Sequence, residues 1–257
     1  MSTEIRAISH DRTNRKTLEL VLPFVRPGAR VLDVGAGEGY FSQLLGEHAR
    51  RTLGIEPSSV VHACDLFPGM FRYDAVPCDP IDASGRFPYD DASFDVVASI
   101  EVVEHLENQF QFVRELHRVL KPGGRAYVST PNLLNLNSRL RFLHSGSGLL
   151  FDPLPLASND PVHTSGHIHP ITFYYLAYMM HRAGFADVRV HYDRRKRSAA
   201  VLAFLLGPFI SIGHAGFVRR LRRKSPAVFA ENAHLVGEIN SWDMQVSRSI
   251  IVEGTKR

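Results

Sequence analysis

The sequence predicts an α/β protein built on a doubly wound, mainly parallel β-sheet with helices on both faces. Two observations carry this prediction: short apolar segments alternate with helical ones between residues 14 and 130, and glycine, proline or acidic turns separate them. The chain has 257 residues, of which 44% are hydrophobic and 22% charged. That composition excludes a disordered chain and suits one large domain.

The first part of the predicted sheet lies before residue 80. A helix at 14–25 places Leu18, Leu22 and Val25 at helical spacing, and a short apolar strand at 29–34 is stopped by glycines. The elements that follow are a helix at 40–49, a strand at 51–55 that ends at an acid and a proline, and a strand at 73–77. Strands separated by helices in this way are typical of parallel pairing.

The second part of the sheet continues to residue 130. A turn-prone segment at 90–93 introduces a strand at 94–100. A long helix at 108–120 follows, and the proline and two glycines at 122–124 stop it. The next strand, at 125–130, ends at a Pro-Asn pair.

Charge and cysteine content narrow the class of protein. The net charge is +4, but residues 188–224 contain ten Lys or Arg and one acid, so the rest of the chain is net acidic. The basic character is therefore a local patch, and nucleic acid is not expected as a partner.

Two cysteines exclude a disulfide scaffold and a four-cysteine zinc site. With no apolar segment at the N-terminus, we expect no secretory signal and a cytoplasmic protein.

A glycine-rich turn at residues 33–39, Asp-Val-Gly-Ala-Gly-Glu-Gly, follows the first strand. Such a turn lets the backbone approach a ligand at the carboxyl edge of a parallel sheet. The dinucleotide pattern is not satisfied, because Tyr40 stands where its last glycine belongs, and Glu38 would repel a pyrophosphate. A cofactor without phosphates and with a positive centre suits Asp33 and Glu38 better.

These residues resemble the first motif of the class I S-adenosylmethionine-dependent methyltransferases. Further segments match that family's motifs in order, namely 53–58, 77–80, 87–97, 101–106 and 115–124. The resemblance covers 27–132, with a weaker match at 173–185. It implies a seven-stranded sheet with an antiparallel last strand, the sixth and seventh strands lying at 187–192 and 249–253. A single domain is then expected, with a helical segment at 1–26, a core at 27–193 and 247–257, and a helical insertion at 194–246.

The resemblance implies S-adenosylmethionine as the methyl donor and S-adenosylhomocysteine as the product. Glu56 is expected to bind the ribose hydroxyls and Asp79 the adenine amino group, although Asp82 is close enough to replace Asp79. The cofactor-binding residues that the resemblance implies are Asp33, Gly35, Ala36, Gly37, Gly39, Glu56, Pro57, Asp79, Pro80, Ser99 and Glu101.

Two histidines are candidate catalytic residues. His105 follows the fourth strand, where an imidazole could take a proton from the acceptor; the alternative is that it packs the following helix. His167 lies with His163 and His169 at the end of a long Pro- and Ser-rich connection, which is typical of a binding loop. Apart from Asp160, no acid or cysteine nearby completes a ligand set, so no metal is expected.

Residues 198–218 form an uncharged run between two basic clusters. The run is long enough to span a bilayer, but Gly207-Pro208 interrupts it and both flanks are basic, which favours one side of the membrane. We expect a helix-break-helix hairpin within 194–224 that dips into one leaflet of an anionic membrane at its cytoplasmic face. A buried lid over the site and a dimer surface remain the alternatives.

The resemblance implies methyl transfer to an oxygen or nitrogen nucleophile of a small or lipid-linked acceptor. Residues 101–105 are also similar to quinone-biosynthesis O-methyltransferases, so a prenylated phenol is one acceptor class and a saccharide is another. A cofactor-binding module without turnover and a nucleic-acid methyltransferase are the alternatives. Ser99-Ile100-Glu101 stands where a base-flipping enzyme would carry an Asn-Pro-Pro-Tyr-like motif.

Overall fold

The computed structural model describes residues 5–82, 84–157 and 166–257. They form one seven-stranded sheet in the order β3-β2-β1-β4-β5-β7-β6. Pairing is parallel from β3 to β5 and antiparallel where β7 meets β5 and β6. The strands are β1 (Val31–Val34), β2 (Val61–Asp65), β3 (Cys78–Pro80), β4 (Phe94–Ile100), β5 (Leu120–Pro131), β6 (Phe185–Tyr192) and β7 (Ser249–Lys256). The predicted fold class is confirmed.

Helices cover both faces of this sheet. One core cluster packs side chains such as Leu32 against Leu116 and Leu176, and a second packs Val31 against Leu45 on the opposite face. All four residues of β1 are buried, as a central parallel strand requires. The helices are α1 (Asp11–Val21), α2 (Tyr40–His48), α3 (Gln109–Val119), α4 (Leu136–Ser145), α5 (Phe173–Ala183), α6 (Arg197–Lys224), α7 (Pro226–Glu238) and α8 (Trp242–Val246).

The predictions of the second and third strands were wrong. Residues 51–55 are no strand, because α2 continues into a π-helical turn over Ala49–Leu53 that ends at Gly54, with a φ of 64°. Apart from Ala49 that turn is exposed, whereas an inner strand of a parallel sheet must be buried on both faces. The buried run Val61–Asp65 takes that place and pairs with β1. The third strand lies after residues 73–77, at Cys78–Pro80.

The segment between β6 and β7 is helical, but its first helix has no break. α6 is continuous over 28 residues with Pro208 inside it, so the expected helix-break-helix hairpin was wrong. Proline removes one hydrogen bond to the carbonyl four residues earlier. Pro208 and Phe204 are both exposed, so water can solvate the carbonyl that this bond would have satisfied.

Candidate active site

The glycine turn between β1 and α2 leaves no room for side chains. Gly35, Gly37 and Gly39 all have positive φ, at 73°, 53° and 90°. A Cβ on Gly35 would lie 2.4 Å from Cγ2 of Val102, and one on Gly37 would lie 2.8 Å from Cδ1 of Ile8. Backbone conformation therefore favours glycine at all three positions, and at Gly35 the contact with Val102 adds a steric reason.

A cavity of about 250 Å³ adjoins this turn. Glu101 and Val102, which follow β4, form one wall, and His105 and His167 line the same space. Residues 6–9 of the N-terminal segment close another side. The cavity thus lies at the carboxyl ends of β1 and β4, where ligands bind in doubly wound sheets.

Two aspartates lie beside the turn; Asp33 bonds the start of α2, and Asp65 bonds the backbone of the turn. Asp33 is fully buried in β1 and accepts a hydrogen bond from Oγ of Ser42 at 2.8 Å; burial raises the pKa of Asp33 to about 7. Asp65, at the end of β2, accepts the backbone N–H of Gly37 at 2.8 Å through Oδ2 and that of Phe67 at 2.7 Å through Oδ1. The turn therefore presents its backbone to the cavity, and the carboxyl groups of Asp33 and Glu38 line the same space, an arrangement that suits hydroxyls and a positive centre better than a pyrophosphate.

Glu56 lies outside this arrangement. Its side chain is 79% exposed and pairs with Arg50 at 3.4 Å, because the strand expected to end before it is a helical turn. Pro57 opens a short 3-10 turn and does not line the cavity either. Asp65 occupies the strand-end position at which the family resemblance expects an acid. The signal missed in the sequence was the apolar run at 60–64 that precedes Asp65.

Of the nine other predicted cofactor residues, five line the cavity and four do not. Asp33, Gly35, Ala36, Gly37 and Glu101 line the cavity. Asp79 and Pro80 lie on β3 at the outer side of β2, and Oδ2 of Asp79 accepts the hydroxyl of Tyr89 at 2.9 Å. Asp82 accepts bonds from Ser84 and Arg86 within its own loop. Ser99 is buried in β4, and Gly39 packs against Phe71; neither lines the cavity.

The fold brings His105 and His167 together. His105 ends a 3-10 turn after β4, and its Nδ1 lies 3.1 Å from the carbonyl oxygen of Gly166. The two imidazole centroids are 4.7 Å apart at nearly right angles. Burial and the neighbouring His105 lower the pKa of His167. His169 is exposed, with Nδ1 2.6 Å from the carbonyl of Leu106, and His163 and Asp160 lie outside the described residues.

Glu104 was missed by the sequence analysis. It is fully buried beside the two histidines, and burial raises its pKa to about 8. The hydroxyl of Thr130 lies close enough to this carboxylate to lower its pKa, although within the described part of the chain no hydrogen bond of ordinary geometry reaches either oxygen. By contrast, Glu101 accepts bonds from Arg248 at 3.2 Å and from Ser249 at 2.7 Å. Only the position of Glu104, directly after a strand and before a histidine, could have drawn attention to it.

A second, more open space of about 800 Å³ shares a wall with the first. Residues 6–9, Tyr40, Glu101 and His167 line both spaces, and Arg248 lines the second one only. The site therefore has a small inner compartment at the glycine turn and a larger outer one. The two histidines stand at the inner compartment, and His167 borders both.

The comparisons with known proteins agree with this geometry. A family model of the methyltransferase domain matches residues 7–190. A probable S-adenosylmethionine-dependent methyltransferase of Mycolicibacterium smegmatis is 39% identical over 113 residues, 43% of this chain and 41% of that protein. The ubiquinone biosynthesis O-methyltransferase of Pseudomonas aeruginosa (strain UCBPP-PA14) is 30% identical over 138 residues, 52% of this chain and 56% of that protein.

A third relative is the 2-methyl-6-phytyl-1,4-hydroquinone methyltransferase of Synechocystis sp., 37% identical over 109 residues, 41% of this chain and 33% of that protein. The chain thus spans about half the length, or less, of the curated relatives it matches. Among solved structures, a SAM-dependent methyltransferase from Archaeoglobus fulgidus superposes with a TM-score of 0.55 at 18% identity, over 94% of this chain and 92% of that one. With the family model matched over residues 7–190 and the fold shared, the chain belongs to the class I S-adenosylmethionine-dependent methyltransferases.

Proposed function

We propose that this protein transfers a methyl group from S-adenosylmethionine to a hydroxyl oxygen of a prenylated phenol at a membrane surface. The observation that carries the proposal is the two-compartment site, in which the glycine turn and two histidines face one cavity and a larger cavity opens beside them. The names of the quinone-related relatives support a phenol as the acceptor.

The inner compartment suits the methyl donor. When bound, S-adenosylmethionine supplies an electrophilic methyl group on a positively charged sulfonium. Gly35 and Gly37 line this compartment with no side chain of their own, so their backbone can approach such a ligand. Asp65 does not line the compartment, but it bonds the N–H of Gly37, which does, and it is our candidate for the ribose hydroxyls in place of Glu56. These residues would hold the donor in the inner compartment, beside the outer one.

The histidines suit the acceptor. Its oxygen attacks the methyl carbon, the carbon–sulfur bond breaks with its electron pair going to sulfur, and the hydroxyl proton goes to an imidazole. The lowered pKa of His167 keeps that ring neutral at pH 7, so it can accept the proton. His105, held by the Gly166 carbonyl, is the second candidate base.

Helix α6 supports an acceptor held in a membrane. It is long and apolar enough to cross a bilayer, yet only 6% of its most apolar stretch is buried. Phe204, Leu205 and Phe209 are exposed. The helix ends in a basic segment, Arg219–Lys224, that complements anionic headgroups.

The anchoring of α6 argues for contact with one leaflet and against a crossing. The N–H of Lys196 bonds the carbonyl of Val246 at 2.8 Å, and Arg195 bridges to Ser247, so the segment leaves and re-enters the sheet at one place. A crossing by α6 would have to be reversed by α7, whose 13 residues span about 20 Å against a hydrocarbon core of about 30 Å. We infer that α6 lies along an anionic membrane surface.

The test offers S-adenosylmethionine with a deuterated methyl group and three acceptors: a prenylated phenol in anionic vesicles, a soluble phenol and a saccharide. Mass spectrometry should find the label on the phenols, more on the membrane-held one. His105→Ala or His167→Ala should lower turnover about 10²-fold with unchanged S-adenosylhomocysteine affinity. His169→Ala, a histidine outside the cavity, is the matched control.

Three other outcomes would each contradict a different part of this proposal: the acceptor class, the turnover or the role of the histidines. Label on the saccharide alone would replace the acceptor class. Cofactor binding without transfer to any of the three would favour the binding module without turnover. Full activity in both histidine variants would remove the imidazoles from the reaction.

A further inference from the structure

Arg248 lies directly before β7 and lines the outer compartment. Its side chain is 16% exposed. One nitrogen, Nη1, makes both of its side-chain bonds, to Oε1 of Glu101 at 3.2 Å and to Oγ of Ser249 at 3.1 Å. The other two nitrogens, Nε and Nη2, bond no residue in the described part of the chain. A guanidinium so little exposed therefore keeps donors for which a ligand can supply the acceptor.

The two remaining nitrogens form one edge of the planar guanidinium. Their N–H groups are parallel, which is the arrangement that binds a carboxylate or a phosphate through two oxygens at once. Glu101 and Ser249 hold the opposite side of the group, so its plane is fixed before any ligand arrives. An uncharged hydroxyl or carbonyl offers one oxygen and could use only one of these donors.

Further positive charge lies beside Arg248. Its N–H bonds the carbonyl of Arg194 at 3.0 Å, and Arg195 pairs with Ser247 in an antiparallel bridge. Arg194 and Arg248 are therefore opposite each other, and opposite side chains in such a pair lie on the same face. Burial and then the charges of Arg248 and Arg194 lower the pKa of Lys196, which places a third cation close to both arginines.

The acids near these cations already have partners. Glu101 accepts bonds from Arg248 and Ser249. Asp193 accepts the hydroxyl of Thr13 at 3.1 Å and the N–H of Ser249 at 2.9 Å. A partly buried group of cations whose acids are engaged in this way gains free energy from an added anion.

The N-terminal segment lies in the same positive field. His10 lines the outer compartment, and its pKa is lowered first by burial and then by the charges of Arg194 and Arg248. Nearby cations disfavour the protonated ring for the same reason that they would favour an anionic ligand. Two separate segments, one before β7 and one before α1, therefore indicate the same sign of charge.

We propose that Arg248 anchors a subsite in the outer compartment for an oxyanion, a carboxylate or a phosphate, that the methyl acceptor carries. The proposal rests on the proposed function, in which the acceptor occupies this compartment beside His167. It narrows the acceptor class to phenols with an acidic group besides the hydroxyl that receives the methyl group. Binding at both groups restricts the orientation of the acceptor, which favours transfer to one hydroxyl.

Isothermal titration of the full chain loaded with S-adenosylhomocysteine tests the subsite with three soluble probes: 3-hydroxybenzoate, 3-hydroxyphenyl phosphate and the uncharged 3-hydroxybenzamide. One or both of the charged probes should bind about tenfold or more tighter than the amide, because only they accept two charge-assisted bonds. Arg248→Met should remove this preference. Arg248→Lys should keep only part of it, since an ammonium lacks the two parallel donors.

Arg195→Met is the matched control, because it removes a neighbouring arginine that is exposed and paired with Asp243. It should keep the preference of the parent. S-adenosylhomocysteine affinity and the Tm, measured on every variant, show whether the chain is folded. If Arg248→Met fails to fold, Arg248→Lys decides alone, and a full preference in that variant would overturn the role of Arg248.

The titration involves no methyl transfer, so it is independent of the proposed function. Equal affinity of the parent for charged and uncharged probes would overturn the subsite and leave transfer to an uncharged phenol intact. An unchanged preference in Arg248→Met would mean that another group binds the anion. Anionic vesicles supply lipid phosphate as the second source of an oxyanion. If only vesicle binding depends on Arg248, the ligand is a headgroup and the assignment to the acceptor is wrong.

Discussion

The glycine turn is closely packed by apolar side chains, whereas helix α6 leaves most of its large apolar side chains exposed. At the turn, Gly35, Gly37 and Gly39 each lie against a side chain, that of Val102, Ile8 or Phe71. Along α6, 28 residues long, only Ala199 and Ala203 are buried, and large apolar side chains point outward. The structure of the turn is thus determined inside the molecule. Helix α6 has apolar surface that the described chain leaves uncovered, and we expect another molecule to contact it there.

The largest expected effect concerns the exposed apolar side chains of α6. Changing Phe204, Leu205 and Phe209 together to serine should weaken binding to anionic vesicles by about 5 kcal/mol, because each apolar side chain contributes about 1.5–3 kcal/mol when buried. Vesicle sedimentation at low and high salt measures it, and salt should weaken the parent's binding by screening the basic end of α6.

The matched control for this variant changes Phe142 and Leu143, two exposed apolar residues on α4, to serine. Vesicle binding should then persist, and the free energy of unfolding should stay within about 0.5 kcal/mol in both variants. If the parent ignores anionic vesicles at low salt, α6 is a contact for another protein surface.

The next effect concerns the buried acid below the turn. Folding raises the pKa of Asp33 from 3.8 to about 7 by burial, so the folded chain keeps a proton that the unfolded chain releases. Stability is therefore lost as the pH rises from about 4 to 7, by up to about 4 kcal/mol from this group. Asp33→Asn should flatten that decline.

Urea unfolding of the parent and of Asp33→Asn at several pH values isolates this contribution. The difference in unfolding free energy between the two should grow from pH 4 to pH 7 in favour of the asparagine variant. A constant difference over this range would mean that Asp33 is ionised throughout.

A smaller effect tests the tightness of the turn. Gly35→Ala should lower the free energy of unfolding by about 3 kcal/mol, because a left-handed residue costs about 1–2 kcal/mol and the new Cβ overlaps Val102. Gly54→Ala has a similar φ of 64° but nothing within 4 Å of its Cβ, so it should cost only the conformational part. Equal losses in the two variants would show that the contact with Val102 relaxes freely.

The smallest of the four effects compares two acids. Asp65→Ala should weaken S-adenosylhomocysteine binding by about 2 kcal/mol, because the Gly37 N–H loses its acceptor and the ribose loses a carboxylate. Glu56→Ala should leave the dissociation constant unchanged, since that side chain is exposed. Isothermal titration of both variants decides between them, and the reverse ranking would restore Glu56.

The sequence predicted the elements that leave local signals and missed those that depend on contacts between distant residues. The strand at 94–100 was placed correctly, because burial and turn residues leave local signals. The strand at 125–130 lies within β5, but β5 already begins at Leu120 and includes the Pro-Gly-Gly at 122–124 that was expected to precede it. The second strand was misplaced because α2 runs on through Ala49–Leu53, and nothing local separates a π-helical turn from a short strand. The cluster of Glu104 with His167 joins residues far apart in the chain, so only the fold reveals it.

The anchoring of α6 also bears on how such a protein can change over evolution. Because Lys196 and Val246 are hydrogen-bonded neighbours, β6 and β7 would remain an antiparallel hairpin if a short turn replaced everything between them. The register of the sheet, and with it the turn that faces the donor, does not depend on the length of that segment. A lineage could therefore replace this segment with another while the residues around the glycine turn kept their positions.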